Sequence, residues 1–186
     1  GEQVHYLRHK FPEVRFQGLD VSVRMVDAAR KRNPTHQFSV GSVLDADTFV
    51  PDHFDLAFST GTLSIFDAPE PFLDNLLTWV NANGVILIFS LFNEFPIDVK
   101  MQYRDTANKP DQWQKGWNIW SKETVGRFLA SKRVSWDWRP FRMPFAIERR
   151  HDPMRAWTIE TEDHPFQETN GAMQLINYHV LQIVNC

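Results

Sequence analysis

The sequence predicts an α/β fold, a doubly wound and mostly parallel sheet with an antiparallel last strand. Three observations carry this. From Val14 to Phe89, strand-length apolar runs alternate with helical patterns, the order that builds a parallel sheet. Val85 to Phe89 (VILIF) is apolar at every position, as a strand covered on both faces requires. Leu175 to Val184 reads as one further strand, antiparallel to the rest.

The elements follow in order. Gly1-Glu2-Gln3 leads into a short helix with Val4, Tyr6 and Leu7, which Pro12 stops. No strand precedes it, although a parallel α/β sheet normally opens with one. Val14 and Phe16 begin a buried strand that runs to Gly18, Leu19 and Asp20. The chain turns at Val21-Ser22 into a helix with Met25, Val26 and Ala29 on one face, stopped by Asn33-Pro34. Ligands of open parallel sheets bind outside the carboxyl ends of the strands. Asp20 stands at such an end, and a carboxylate offers two acceptor oxygens to the two hydroxyls of a ribose. The competing role for Asp20 is to cap the following helix, which Ser22 suits equally well.

Gln37 to Val40 is the next strand, and Gly41-Ser42-Val43-Leu44-Asp45 turns away from it. Phe54 to Ser59 (FDLAFS) reads as a third buried strand, ahead of the loop Thr60-Gly61-Thr62. Pro69 and Glu70 open a helix with Phe72, Leu73, Leu76, Leu77 and Val80 on one face, ended by Asn83-Gly84. From Leu91 to Trp120 the pattern breaks: Pro96, Pro110 and Gly116 punctuate it, and Tyr103, Trp113, Trp117 and Trp120 stand among polar residues. A connection of this length suits a lid. Ser121 then caps a helix carrying Val125, Phe128 and Leu129. Val134, Trp136 and Trp138 alternate with polar residues as in a half-buried strand, and Ala156 to Thr161 is another strand. The 186 residues read as one domain, 1–186, with substrate-side insertions at 91–120 and 139–172.

Composition narrows the function classes. A formal net charge of −3 and a pI near 6.2 offer a nucleic-acid backbone no attraction. Cys186 is the only cysteine, which excludes a disulfide or a thiolate metal site within the chain and fits a reducing, cytoplasmic setting. No apolar run approaches the ~20 residues of a membrane span, and no basic-then-apolar leader pattern opens the sequence. His151, His164 and His179 lack metal-ligand spacing and read as surface or packing residues, so no metal is expected.

With these elements in place, the residues resemble a class I S-adenosylmethionine-dependent methyltransferase. Phe16 to Arg32 (FQGLDVSVRMVDAARKR) is similar to that family's second strand and helix, with Asp20 where the family binds the ribose. Val40 to Asp45 (VGSVLD) sits where the family carries its turn against the adenine. Phe54 to Leu76 resembles the fourth strand, the loop beside the methionine end and the next helix; Gly84 to Ser90 resembles the fifth strand. Trp120 to Thr124 resembles the start of the last major helix. The resemblance implies a Rossmann-like sheet and S-adenosylmethionine as cofactor. It departs in two places. Gly1 alone stands where the family's glycine-rich loop ends, so the family's first strand is expected to be missing from the chain, as in a fragment. Ser42 replaces an acid that accepts a bond from the adenine amino group.

The implied cofactor residues are Gly1, Asp20, Val21, Ser42, Val43, Ser59, Thr60 and Gly61. Asp20 takes the ribose, Leu19 and Val21 pack near the adenosine, Ser42 and Val43 meet the adenine, and Ser59 to Gly61 line the methionine end. An ordinary turn is the bland alternative for Ser42 to Leu44. The acceptor is expected to be a small molecule, with neither nucleic acid nor membrane as partner. Methyl transfer from a sulfonium needs alignment more than covalent help, and no catalytic base is identified. Glu94 is the carboxylate best placed by topology to face a substrate, with a solvated loop charge as its equal alternative. The four aromatics of 91–120 either cover the site or fill core, and core filling is expected for at least two. Two other readings stay open: a methyltransferase-like binding module without catalysis, and a nicotinamide-dependent oxidoreductase, whose cofactor also suits an acid after the second strand.

Overall fold

A computed structural model describes residues 1–186, which divide into two compact units, Gly1–Val50 and Pro51–Cys186. The first unit is a strand–helix–strand crossover with a helix before it: α1 (Glu2–Lys10), β1 (Gln17–Asp20), α2 (Val23–Arg32) and β2 (Gln37–Val40). β1 and β2 are parallel, with Gln17 opposite Gln37 and Asp20 opposite Val40. Val4, Val26, Ala29 and Phe38 form its core, with Phe16 against them. Ser22 caps α2, its hydroxyl accepting from Met25 N at 3.4 Å.

Two expectations need correction here. Val14 lies before β1 and is 41% exposed, because the strand pairs only over Gln17–Asp20. Met25 is 46% exposed although it shares the helical period of Val26 and Ala29; the small core accommodates a narrower face of α2 than the period allows.

The second unit holds β3 (Phe54–Thr60), α3 (Glu70–Trp79), β4 (Val80–Asn93), β5 (Gln102–Tyr103), β6 (Gln114–Lys115), β7 (Trp120–Ser121), α4 (Lys122–Ala130), β8 (Val134–Phe141), β9 (Trp157–Ile159), β10 (Gln167–Thr169), β11 (Leu175–Ile176) and β12 (Tyr178–Asn185). Its main sheet runs β3-β4-β12-β8, with β7 pairing the end of β4. β3 and β4 are parallel, and β12 is antiparallel to both β4 and β8. The fold is therefore α/β with a mixed sheet and an antiparallel last strand, as predicted. No helix is long and apolar enough to cross a membrane.

Side chains alternate across this sheet. Ile86, Ile88 and Ser90 of β4 and Ile183, Leu181 and His179 of β12 are opposite one another and buried. The other face of the VILIF run, Val85, Leu87 and Phe89, is only half-buried. β3 is likewise not the buried strand expected: it is an edge of its unit's sheet, and Leu56 is 48% exposed.

α3 buries Phe72, Leu73, Leu76 and Trp79 but stops at Trp79, before Asn83-Gly84. Val80 already pairs with Phe54, and the register slips so that Val85 pairs with Leu56; Asn81 to Gly84 form the bulge, with Asn83 in the left-handed region at φ 67°. The freed end of α3 is satisfied from far along the chain: Asn185 Nδ2 donates to Leu77 O at 3.1 Å and Val80 O at 2.7 Å. The last strand is also broken, at Asn177, whose carbonyl accepts from Phe92 N at 3.3 Å.

Candidate functional site

In the first unit, β1 and β2 end side by side. Gly41 N donates to Asp20 O at 3.1 Å, which brings the Gly41-Ser42-Val43 turn beside Asp20. Asp20 Oδ1 accepts from Ser22 N at 2.8 Å. Both roles weighed for these residues are thus divided: Ser22 caps α2, and Asp20 fixes the turn ahead of it with one oxygen. The side chain is exposed. Val21 beside it is 70% exposed, an apolar surface at the strand ends.

Ser42 is engaged locally. Its hydroxyl oxygen accepts from Leu44 N at 3.1 Å, and its carbonyl accepts from Asp45 N and the Thr48 hydroxyl. The Ser42 O–H remains a donor, and Val43 follows half-buried. Gly1 lies elsewhere in this unit. A Cβ on it would come within 2.7 Å of Ala29 Cα, and its carbonyl accepts from Asn33 Nδ2 at 3.1 Å. Ala29 lies seven residues beyond the Ser22 cap, about 10 Å down α2 at 1.5 Å per residue, so Gly1 packs well below the Asp20 end of that helix.

In the second unit, β3 delivers Ser59, Thr60 and Gly61 to the carboxyl end of the sheet. Gly61 turns with φ 72°, and its N–H donates to Phe89 O at 2.8 Å. The loop beyond is pinned by Asn118, a buried residue the sequence reading passed over. Asn118 N donates to Ser64 O, Asn118 Nδ2 donates to Phe66 O at 2.7 Å, and its Oδ1 accepts from Met101 N at 3.0 Å. Segment 91–120 is thus largely irregular but tied down at several points. β5 and β6 pair antiparallel and Val99 bridges Ile119, which places an ordered hairpin against the loop after Gly61. Trp120 is buried, Tyr103 and Trp117 are half-buried, and Trp113 is 61% exposed with Arg104 over its ring.

Glu94 is occupied by a neighbour. Lys122 Nζ donates to its Oε1 at 3.0 Å, and that hydrogen bond and charge hold the carboxyl below its ordinary range. His179, 3% exposed, has Nε2 at 3.4 Å from the same oxygen; burial and the Lys122 charge lower its pKa. At neutral pH this group is a neutral imidazole beside a neutralised ion pair.

Two further residues escaped the sequence reading. Glu168 on β10 is 6% exposed, and burial raises its pKa. Tyr178 on β12 stacks on Phe89 with centroids 4.7 Å apart and planes at 16°, and burial together with the Glu168 charge raises its pKa. A lone glutamate in a polar stretch carries no signal that it will be buried.

A family model described as a methyltransferase domain matches residues 1–86. Among solved structures, a SAM-dependent methyltransferase of Methanosarcina mazei aligns with a TM-score of 0.57 at 13% identity, covering 91% of this chain and 81% of its own. The YcgJ protein of Bacillus subtilis aligns at 0.57 and 10% identity, covering 100% and 99%. The [4+2]-cyclase SpnF aligns at 0.53 and 20% identity over 73% of this chain; the chain spans about half of that protein's length, 48%. At these identities the likeness is one of fold. No curated protein sequence matches the chain.

Proposed function

We propose that this chain, whose first 86 residues match a methyltransferase domain and whose fold is that of class I methyltransferases, transfers a methyl group from S-adenosylmethionine to a small-molecule acceptor. The observation that carries the reading is Asp20: an exposed carboxylate at the carboxyl end of β1, oriented through Oδ1 by Ser22 N. That carboxylate, with exposed Val21 and the Ser42 turn beside it, fits a ribose diol and an adenine ring. Gly1 supports the site by letting α1 approach α2 closely. On the second unit, Ser59, Thr60 and Gly61 are the residues assigned to the methionine end, and the left-handed Gly61 keeps that turn free of a side chain.

The cofactor, when bound, supplies a methyl group already activated by the positive sulfur. The chain's own residues orient the two reactants and exclude water. No base is assigned, because Glu94 is paired with Lys122. The amino-terminal match favours a methyl donor over the nicotinamide cofactor that a strand-end acid also suits. The net charge of −3 favours a small acceptor over a nucleic acid.

The test is calorimetric titration of S-adenosylhomocysteine into the chain. Saturable binding is expected; none, in protein shown to be folded, refutes the reading. Binding without methyl transfer from labelled donor to any of a panel of amines, phenols and carboxylic acids would favour the non-catalytic binding module.

A further inference from the structure

We infer that His179, Glu94 and Lys122 form a proton-operated latch at the carboxyl end of β4: while His179 is neutral, Glu94 belongs to Lys122, and when His179 is protonated it takes Glu94 and releases Lys122. The latch is independent of the methyltransferase reading. Two nitrogens converge on one oxygen. Glu94 Oε1 accepts from Lys122 Nζ at 3.0 Å, and His179 Nε2 stands 3.4 Å from the same atom without the geometry of a hydrogen bond.

His179 has no other partner to turn to. It is 3% exposed, and its Nδ1 is unpartnered as well. β4 places Ser90 opposite it, buried and with its own hydroxyl unpartnered, and β8 places Pro140 on the other side. Phe92 lies edge-on, with ring centroids 6.4 Å apart. None of these carries charge. Arg139, next along β8, alternates to the opposite face of the sheet and lies by Asp137. The charged groups that face the imidazole are therefore Glu94, just beyond β4, and Lys122, in the first turn of α4.

A neutral imidazole has one donor and one acceptor nitrogen. Facing a carboxylate, Nε2 keeps its hydrogen, and Nδ1 is left as a buried acceptor without a donor. A proton taken from solvent at Nδ1 reverses this. Both nitrogens become donors, with Glu94 Oε1 ahead of Nε2 and the Asn177 backbone carbonyl favouring the added charge. A charge-assisted hydrogen bond is shorter than the present contact, so the carboxylate closes on His179 and two cations crowd one oxygen. Lys122 is the one that can leave. Its ammonium already lies 5.7 Å over the Trp138 ring, an alternative seat for a cation. The release stays local, because Asp98 accepts from Ser121 N and the Thr124 hydroxyl, both at 2.7 Å, and keeps the segment after β4 tied to α4. Burial and the Lys122 charge oppose the proton and hold the folded pKa below 6.5. Stability is therefore lost as pH falls from 6.5 through the folded value, and the latch works on the acid side of neutral.

The experiment is a nuclear magnetic resonance titration of the full chain from about pH 8 to about pH 4.5, either side of the ordinary histidine value. It reads the ring nitrogens of His179 and Cε of Lys122 in wild type and Glu94→Gln, and the ring nitrogens alone in Lys122→Met. Both substituted side chains reach solvent, so the variants keep the core intact. In wild type, Lys122 Cε should move with the same midpoint as His179. Glu94→Gln should lower the His179 midpoint, because the attracting carboxylate is gone, and should uncouple Lys122 Cε from it. Lys122→Met should raise the midpoint, because it removes both an opposing charge and the rival donor. A His179 that stays neutral until the chain unfolds, or a midpoint that ignores both substitutions, overturns the latch. So does a Lys122 Cε that stays fixed while His179 titrates, since the two groups would then share a field without exchanging a partner.

Discussion

Asp20 gives the sharpest test, because its two oxygens have different work. Oδ1 accepts from Ser22 N at 2.8 Å and shapes the turn, whereas Oδ2 is the oxygen proposed to meet the ligand. Asp20→Asn retains an oxygen for Ser22 N but removes the charge and one acceptor, so it separates ligand binding from turn geometry. Hydrogen bonds to a charged group are worth about 1.5–3 kcal/mol. At 1.4 kcal/mol per decade, Asp20→Ala should weaken S-adenosylhomocysteine by roughly 10- to 150-fold. Asp20→Asn should fall toward the lower end, since an amide oxygen accepts without charge assistance. Stability should behave differently. Asp20→Ala loses the Ser22 contact altogether, and Asp20→Asn keeps it without its charge assistance, so the alanine variant should melt the lower of the two. Calorimetry of both variants, with thermal melts beside it, resolves the two effects. If both variants bind within about twofold of wild type (~0.4 kcal/mol), Asp20 holds no ribose and the reasoning fails.

The other predictions concern packing and pH. Gly18→Ala should destabilise the chain by roughly 1–3 kcal/mol in a denaturant titration, because the new Cβ would lie 2.4 Å from Cδ1 of the buried Phe38 ring opposite it; an unchanged midpoint would show that the ring moves freely. Asn185→Ala strips the donors from Leu77 O and Val80 O and should cost about 1–3 kcal/mol; a melt equal to wild type would mean that water replaces it without penalty. Glu168, with its pKa raised by burial, holds its proton to a higher pH folded than unfolded. Stability is therefore lost as pH rises from its ordinary value of 4.5 through the folded value. Glu168→Gln should remove that slope; parallel stability–pH curves for the two proteins would refute this.

What was legible in the sequence was the local part. The Ser22 and Ser121 caps, the VILIF strand and a helix carrying Phe72, Leu73 and Leu76 are each written in a few neighbouring residues and form where expected, although Val80 leaves that helix for β4 and one face of VILIF is only half-buried. Asp20 too is a strand-end acid because of its immediate context. The structure alone decided how much of each pattern is covered. Met25 shares a period with Val26 but finds no core to enter, and β3 is apolar yet lies at a sheet edge. It also decided the distant partners: Phe38 over Gly18, Asn185 at the end of α3, Asn118 on the loop after Gly61. The reason is physical. Caps, turns and periods depend on bonds and side chains within one or two helical turns, whereas burial and pairing depend on strand register and on residues that only folding brings together.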